Sequence, residues 1–283
     1  MDKFKLSGKV VVITGSTGGL GTAMAEALVQ KGAKLALMDL DLVATQAQSK
    51  KLGDIAMVRG WQVDVRRMDS ITKAMDEAAL HFGGLDIVLA SAGIATMAPI
   101  SKLEVEAFER VIDINLNGVW RTFKAALPHV RKQHGYLAAV SSMAAFVHSP
   151  LQSPYTASKA GVWALCDSIR LELRHLNVAV GSYHPTFFPT PMMDDVVSDP
   201  AGNKLWGGNA KGIWKMITTE EVVRQIILGI ERRASMVVIP RSNTLVAKSA
   251  GLFRPLIEWL GFKDYHIQEA ISLSDKSGWH QKR

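Results

Sequence analysis

Residues 9–21 read KVVVITGSTGGLG. The first six, Lys9 to Thr14, form a continuous β-branched run that is too short for a helix and ends at glycine, the pattern of a strand buried on both faces. Gly15, Gly18, Gly19 and Gly21 then let the backbone turn sharply into a helix expected from Gly19 to about Lys31. Such a turn lets main chain approach a pyrophosphate closely, and the helix N-terminus adds unpaired N–H groups and a partial positive charge. A bare strand-to-helix turn reads the same way, so its context decides.

Outward from this segment, strand-length apolar runs alternate with stretches of helical spacing. Lys34 to Asp39 gives a second strand, Leu42 to Leu52 a helix, and Met57 to Asp64 a third strand. Asp69 or Ser70 is placed to cap a helix reaching His81, and Gly83-Gly84 turn into a strand from Leu85 to Ala90. Ser101 to Gln133 carries a long helical pattern interrupted near Asn115, Asn117 and Gly118; another helix runs from Ser153 or Pro154 to about His175. Tyr136 to Ser141, Asn177 to His184 and Ser235 to Pro240 supply the remaining strands, the last preceded by a helix from Thr219 to Arg232. The alternation predicts an α/β fold, a doubly wound parallel sheet of about seven strands with helices on both faces. Pro185 to Thr218, rich in Pro, Gly, Met and Trp and without clear periodicity, reads as a substrate lid. Residues 1–240 thus form the sheet domain. Residues 241–283 form an apolar and basic extension in which Leu245 to Phe262 is expected to be helical around Pro255, with a polar, frayed end.

Composition narrows the function classes. With 283 residues, 48% of them hydrophobic, the chain can bury a sizeable core and lies far from the signature of disorder. Its single cysteine, Cys166, leaves no internal disulfide and no thiolate zinc site, which fits a reducing cytoplasm; no metal site is expected. No window approaches the ~20 uninterrupted apolar residues of a membrane span. The net charge is +7, yet Lys and Arg are scattered singly or in pairs such as Lys50-Lys51, without the stripe that nucleic-acid binding requires.

Asp39 ends the second strand at close to the ~20-residue spacing from the glycines at which an acid meets a ribose 2′-hydroxyl. An acid there accepts hydrogen bonds from a free ribose diol and repels a 2′-phosphate, so it favours NAD over NADP. The alternative is that Asp39 caps the next helix, which Asp41 is equally placed to do. Tyr155 and Lys159 lie four apart on one helix face, where an ammonium favours the phenolate and makes an acid/base of a side chain with an ordinary pKa of ~10.

With these residues the chain resembles the short-chain dehydrogenase/reductase family from Lys9 to about Pro240. The TGxxxGxG motif is Thr14, Gly15, Gly19 and Gly21. Asp64-Val65 follow the third strand, Asn115 is the helix asparagine, Ser142 stands thirteen residues before Tyr155, and Tyr155 with Lys159 completes YxxxK. Ser141 neighbours the serine position, but the spacing selects Ser142. The resemblance implies a Rossmann-type fold and hydride transfer between a secondary alcohol, or its ketone, and a nicotinamide. Tyr155 would move the hydroxyl proton, Ser142 would bond the substrate oxygen, Lys159 would hold the nicotinamide ribose and lower the tyrosine pKa, and Asn115 would retain a relay water. Cofactor contacts would come from Gly15, Thr17, Gly18, Gly19, Leu20, Gly21, Asp39, Asp64, Val65, Ser91, Ala92, Gly93, Tyr155, Lys159, Pro185 and Thr190.

Two departures stand out. Ser91-Ala92-Gly93 replaces the family's Asn-Ala-Gly, putting a hydrogen bond between the central strands in doubt. Pro185-Thr186 replaces Pro-Gly, removing glycine's access to positive φ. The family draws substrate selectivity from the loop after the fifth strand and from the lid, here Met143, His148, Gln152, Phe187, Phe188 and Met192. This apolar set favours a lipophilic alcohol or ketone, although each residue equally suits packing of the lid, and His148 suits a solvated loop. The family's habits imply a homodimer or homotetramer. Residues 245–263 would contact a second subunit or a membrane surface. Two other readings remain: an NADP-dependent carbonyl reductase of the same fold, and a dinucleotide-binding regulator without turnover.

Overall fold

The computed structural model describes residues 4–209 and 215–274. Seven strands, β1 (Val10–Thr14), β2 (Lys34–Asp39), β3 (Val58–Gln62), β4 (Ile87–Ala90), β5 (Tyr136–Val140), β6 (Ala179–Pro185) and β7 (Met236–Ile239), form one sheet in the order β3-β2-β1-β4-β5-β6-β7. Every neighbouring pair is parallel. All five residues of β1 are buried, as its unbroken apolar run predicts, and successive residues serve opposite layers. Val10 and Val12 pack towards α3 (Met68–Phe82), α5 (Gly118–Val130) and α6 (Ser153–Leu173). Val11 and Ile13 pack towards α1 (Gly19–Gln30) and α9 (Thr219–Glu231). α2 (Leu42–Leu52) has the predicted bounds. The sheet is a Rossmann-type doubly wound sheet, and the order reverses between β1 and β4. A crevice opens beyond the carboxyl ends of the strands at such a point.

Several local expectations need correction. Neither Asp69 nor Ser70 caps α3. Its N-cap position is Arg67, and the Ser70 hydroxyl instead accepts from the Asp64 N–H at 3.1 Å. The pattern over 101–133 is not broken: α4 (Val105–Ile112) runs through a π turn at Asp113–Asn117 straight into α5. There Gly118 lies against Val65, where a Cβ would meet the valine side chain at 3.1 Å. The lid is not irregular either. It contains α7 (Pro191–Ser198), capped by Thr190, and α8 (Pro200–Trp206), capped by Asp199. Each cap is followed by proline at the first helical position, where its missing N–H costs nothing. This Thr-Pro and Asp-Pro signal is present in the sequence.

Beyond β7 lie α10 (Thr244–Lys248), α11 (Ala250–Gly261), which contains Pro255, and α12 (Asp264–Leu273). α12 was not expected, and it is no appendage. Ala270 of α12 and Phe262 share an apolar cluster with Leu205 and Trp206 of α8 and with Met97 and Val196. Lys204 and Glu269 form an ion pair across the same contact. Of the expected frayed end, residues 275–283 lie outside the described residues. Among the described residues no helix is long and apolar enough to cross a membrane, and no group of three His, Cys, Asp or Glu side chains is placed to hold a metal.

Candidate active site

The loops that follow β1 to β6 line a cavity of about 1400 Å³. At one end is the glycine turn. Gly15 has φ +69°, and a Cβ there would meet the backbone of Ala92 at 2.7 Å. At Gly21 a Cβ would run into the carbonyl of Gly15. The first turn of α1 can therefore lie flat against the loop. No side chain caps α1 at Gly18, which leaves its N-terminal dipole facing the cavity lined by Gly18, Gly19 and Leu20. This cradle, with Asp39, Val65 and Ser91 to Gly93 along the same wall, fits a dinucleotide pyrophosphate and its adenosine end.

Asp39 does not cap α2. Asp41 does, accepting from the Ala44 N–H at 3.0 Å. Asp39 Oδ2 accepts from both the N–H and the hydroxyl of Thr17, at 2.9 and 2.8 Å, and so ties the end of β2 to the glycine turn while lining the cavity. Asp64 accepts from Arg66 through Nε at 2.9 Å and Nη2 at 2.7 Å, and this pairing holds its carboxyl below the usual range. The doubt over Ser91 is resolved by Thr14, whose hydroxyl accepts from the Ser91 and Ala92 N–H groups at 3.2 and 3.5 Å and braces β1 to the segment after β4. Thr186 takes no positive φ, and its N–H donates to Ile239 of β7 at 2.8 Å, so the turn needs no glycine.

Ser142, Tyr155 and Lys159 meet on the cavity wall. The Ser142 hydroxyl accepts from the Ala144 N–H at 3.1 Å. Ser141 turns away and donates to the Lys159 carbonyl at 2.8 Å, pinning α6 to the end of β5. Burial raises the Tyr155 phenol above its usual pKa, and a hydrogen bond with Ser142 pulls the other way. The expected lowering by Lys159 is thus not the net effect of the protein's own groups. Burial brings Lys159 itself down to about 8, its Nζ donates to the Val140 carbonyl at 3.0 Å, and it lies 5.5 Å from the Tyr155 ring centre. Desolvation penalises both charged forms together.

Asn115 is fully buried in the π turn and does not line the cavity. Its amide donates to the Ile94 carbonyl at 2.9 Å and to Ser158 Oγ at 3.1 Å, while Oδ1 accepts from the Ile94 N–H at 2.8 Å. The side chain fastens the segment after β4 to α6, with both of its amide hydrogens spent on protein partners.

On the substrate side Met143, Gln152, Phe187, Phe188 and Met192 line the cavity as expected. His148 does not. Its Nδ1 faces Arg254 of α11 at 3.4 Å, and burial, then Arg254, lower its pKa. Thr190 lies where a Cβ on Gly19 would meet it at 3.2 Å, so the lid starts in contact with the glycine turn.

A family model described as short chain dehydrogenase matches residues 9–201, from β1 into α8. The chain belongs to the short-chain dehydrogenase family. Among curated members, it is 35% identical over 209 residues to (-)-trans-carveol dehydrogenase of Rhodococcus erythropolis, covering 68% of this chain and 75% of that protein. It is 34% identical over 233 residues to cis-4-hydroxycyclohexanecarboxylate dehydrogenase of Sinomonas cyclohexanicum, covering 81% of this chain and 92% of that one. A solved structure of a short chain dehydrogenase/reductase from Burkholderia phymatum, in complex with NAD, shares the fold with a TM-score of 0.78 at 23% identity, covering 89% of this chain and 96% of that one.

In this short-chain dehydrogenase several wall residues escaped the sequence reading. Arg66 lines the cavity beside Asp64, Arg110 lines it from α4, and Val246 and Ile257 line it from α10 and α11, beyond the matched region. His184 of β6 lies behind Ser142, fully buried. For Val246 and Ile257 no local signal exists, because the sequence does not say where the extension folds back. His184 carried one: a histidine in an otherwise apolar strand needs a buried partner.

Proposed function

We propose that this chain interconverts a lipophilic secondary alcohol and its ketone with NAD. The observation that carries the reading is one continuous cavity holding the glycine cradle and Asp39 at one end and Ser142, Tyr155 and Lys159 in its wall, with Phe187, Phe188 and Met192 beyond them. The bound nicotinamide would supply the hydride acceptor or donor and, when oxidised, a positive charge near the phenol. Tyr155 holds its proton firmly in the buried wall and releases it to the oxygen of a ketone, or takes it from an alcohol. Ser142 bonds that oxygen and the phenol together. Lys159, its pKa brought down to about 8 by burial, would hold the ribose hydroxyls and pass the proton on. Each group acts on the atom where charge develops.

Asp39 supports NAD, since a 2′-phosphate would meet a carboxylate, and the nearby Arg66 is already paired with Asp64. The name of the Sinomonas relative gives a cyclohexane ring alcohol that also carries a carboxylate, and the ring, though not the carboxylate, agrees with the apolar wall. Reading turnover of a panel of lipophilic alcohols with NAD and NADP by nicotinamide absorbance tests both points. Tyr155→Phe should lower turnover by about 10²–10⁴-fold while cofactor affinity stays near wild type. Equal turnover in the variant would sink the assignment, and an inactive wild type that still binds NAD would favour the regulator.

Leu252, Leu256, Trp259 and Leu260 form an exposed stripe on α11. Over 245–263 three basic residues stand against one acidic residue, well short of the cluster of about 4–8 basic residues that marks a segment drawn to anionic lipid. The stripe therefore suits a second copy of the chain. Trp259→Glu should reduce the oligomer seen by light scattering, whereas co-sedimentation of the wild type with anionic liposomes would point to a membrane instead.

A further inference from the structure

Behind Ser142 lies a string of buried polar groups that the reaction as described does not use. His184 and Ser182 stand two apart on β6 and so project from the same face of the sheet. The Ser182 Oγ and His184 Nε2 are 2.9 Å apart, and His184 Nδ1 is 3.3 Å from the backbone carbonyl of Ser142. A carbonyl only accepts. Nδ1 therefore carries the hydrogen, and Nε2 is bare and accepts from the Ser182 hydroxyl.

The contact falls where the ladder between β5 and β6 runs out. Ser141 still donates to the Tyr183 carbonyl at 2.8 Å, but the next residue of β6 able to donate would be Pro185, which has no N–H. The imidazole continues the strand pairing with a side chain. One face of its ring packs against Phe146, with centres 4.8 Å apart, and Phe146 in turn packs against Trp163 of α6 at 4.9 Å. The ring is locked from both ends and from the side.

We propose that His184 is a positioning residue that fixes the Ser142 turn, and through it the hydrogen bond between Ser142 and the Tyr155 phenol. This deepens the catalytic reading above and rests on it. His184 acts as a neutral ring: burial, with Lys159 nearby, brings its pKa down to about 4. It transfers no proton. Of the charged groups, Lys159 reaches His184 and Tyr155 from α6, while Glu104, Glu106, Arg110 and Asp195 line the wider cavity. Burial raises the Tyr155 phenol and the Ser142 bond opposes it, so a Ser142 turn set adrift leaves the phenol harder to ionise.

The spectroscopic arm of the test needs neither substrate nor cofactor. In the whole protein, ¹⁵N spectra should show His184 protonated at Nδ1 and bare at Nε2, and tyrosine ring ¹³C titration reports the Tyr155 pKa directly. His184→Leu should raise that pKa by about half a unit to one unit, and turnover should drop about tenfold, one hydrogen bond's worth of positioning. His184→Asn, which keeps a donor where Nδ1 stands, should recover most of both. Ser142→Ala should raise the pKa at least as much as His184→Leu, and the double variant should go no further than Ser142→Ala alone. If His184→Leu does not fold, Ser182→Ala frees Nε2 and should give a smaller shift in the same direction. Additive shifts, no shift, or an opposite tautomer overturns the proposal. Tyr155→Phe remains the separate test of the catalytic reading, so the two can fail independently.

Discussion

Asp39 holds the glycine turn and lines the cavity with the same carboxylate. Removing it takes two hydrogen bonds from Thr17 as well as an acceptor for a ribose diol. Asp39→Ser should therefore weaken NAD binding by about tenfold or more, and it should lower the penalty on NADP, so the ratio of the two dissociation constants narrows. Titration calorimetry with both dinucleotides checks this, and a wild type that already prefers NADP would refute the role. The position was legible in the sequence because spacing from a glycine turn survives translation into space. The bonds to Thr17 were not, since they depend on the orientation of one side chain. Tyr155 and Lys159 show the same division: helix spacing places them together, but the direction of the tyrosine shift depends on how deeply the wall is buried, which no four-residue pattern reports. Asn115 was found by motif, but its bonds to Ile94 and Ser158 were not, because a motif names a residue without naming its hydrogen-bond partners.

At the scale of elements, α12 holds α8 in place. Ala270 is fully buried against the lid cluster, so Ala270→Asp puts an unpaired carboxylate between the two helices. The expected result is a rise of roughly tenfold in KM for the alcohol, with the NAD dissociation constant unchanged, because loosened wall residues misplace substrate and the glycine turn lies elsewhere. Equal rises in both constants would mean that α12 supports the whole chamber. The strands and the helices covering the sheet were legible, as period and length identify them. α7 and α8 were legible only through their Thr-Pro and Asp-Pro starts, being too short for a period to show. The π turn was not legible: the sequence marks a disturbance at Asn115 to Gly118, and only the approach of Val65 to Gly118 decides that the helix continues through it.

For the whole molecule, two buried bases set a pH dependence of stability. His184 falls to about 4 and Lys159 to about 8, each below its unfolded value of about 6.5 and 10.5. In both cases the unfolded chain binds more protons between the two values, so stability rises with pH from about 4 to 6.5 and again from about 8 to 9, above which the buried Cys166 thiol, brought up to about 12, and the buried Tyr136, Tyr155 and Tyr183 keep protons that the unfolded chain releases and turn the curve down. Denaturant unfolding across pH should show both rises. Lys159→Met should abolish the upper one and raise stability at pH 7 by up to about 3 kcal/mol, at the expense of activity. A chain that keeps such a lysine holds a charge-bearing group against the preference of its own core. The packing of α12 on α8 has a consequence in time as well as in space. α12 follows every strand in the chain, and translation proceeds at about 5–20 residues per second with upstream units folding first. The nascent chain can therefore close its nucleotide chamber while the helices that complete and brace the far wall are still being made. A ribosome-bound intermediate would bind dinucleotide before α10, α11 and α12 had settled against the lid.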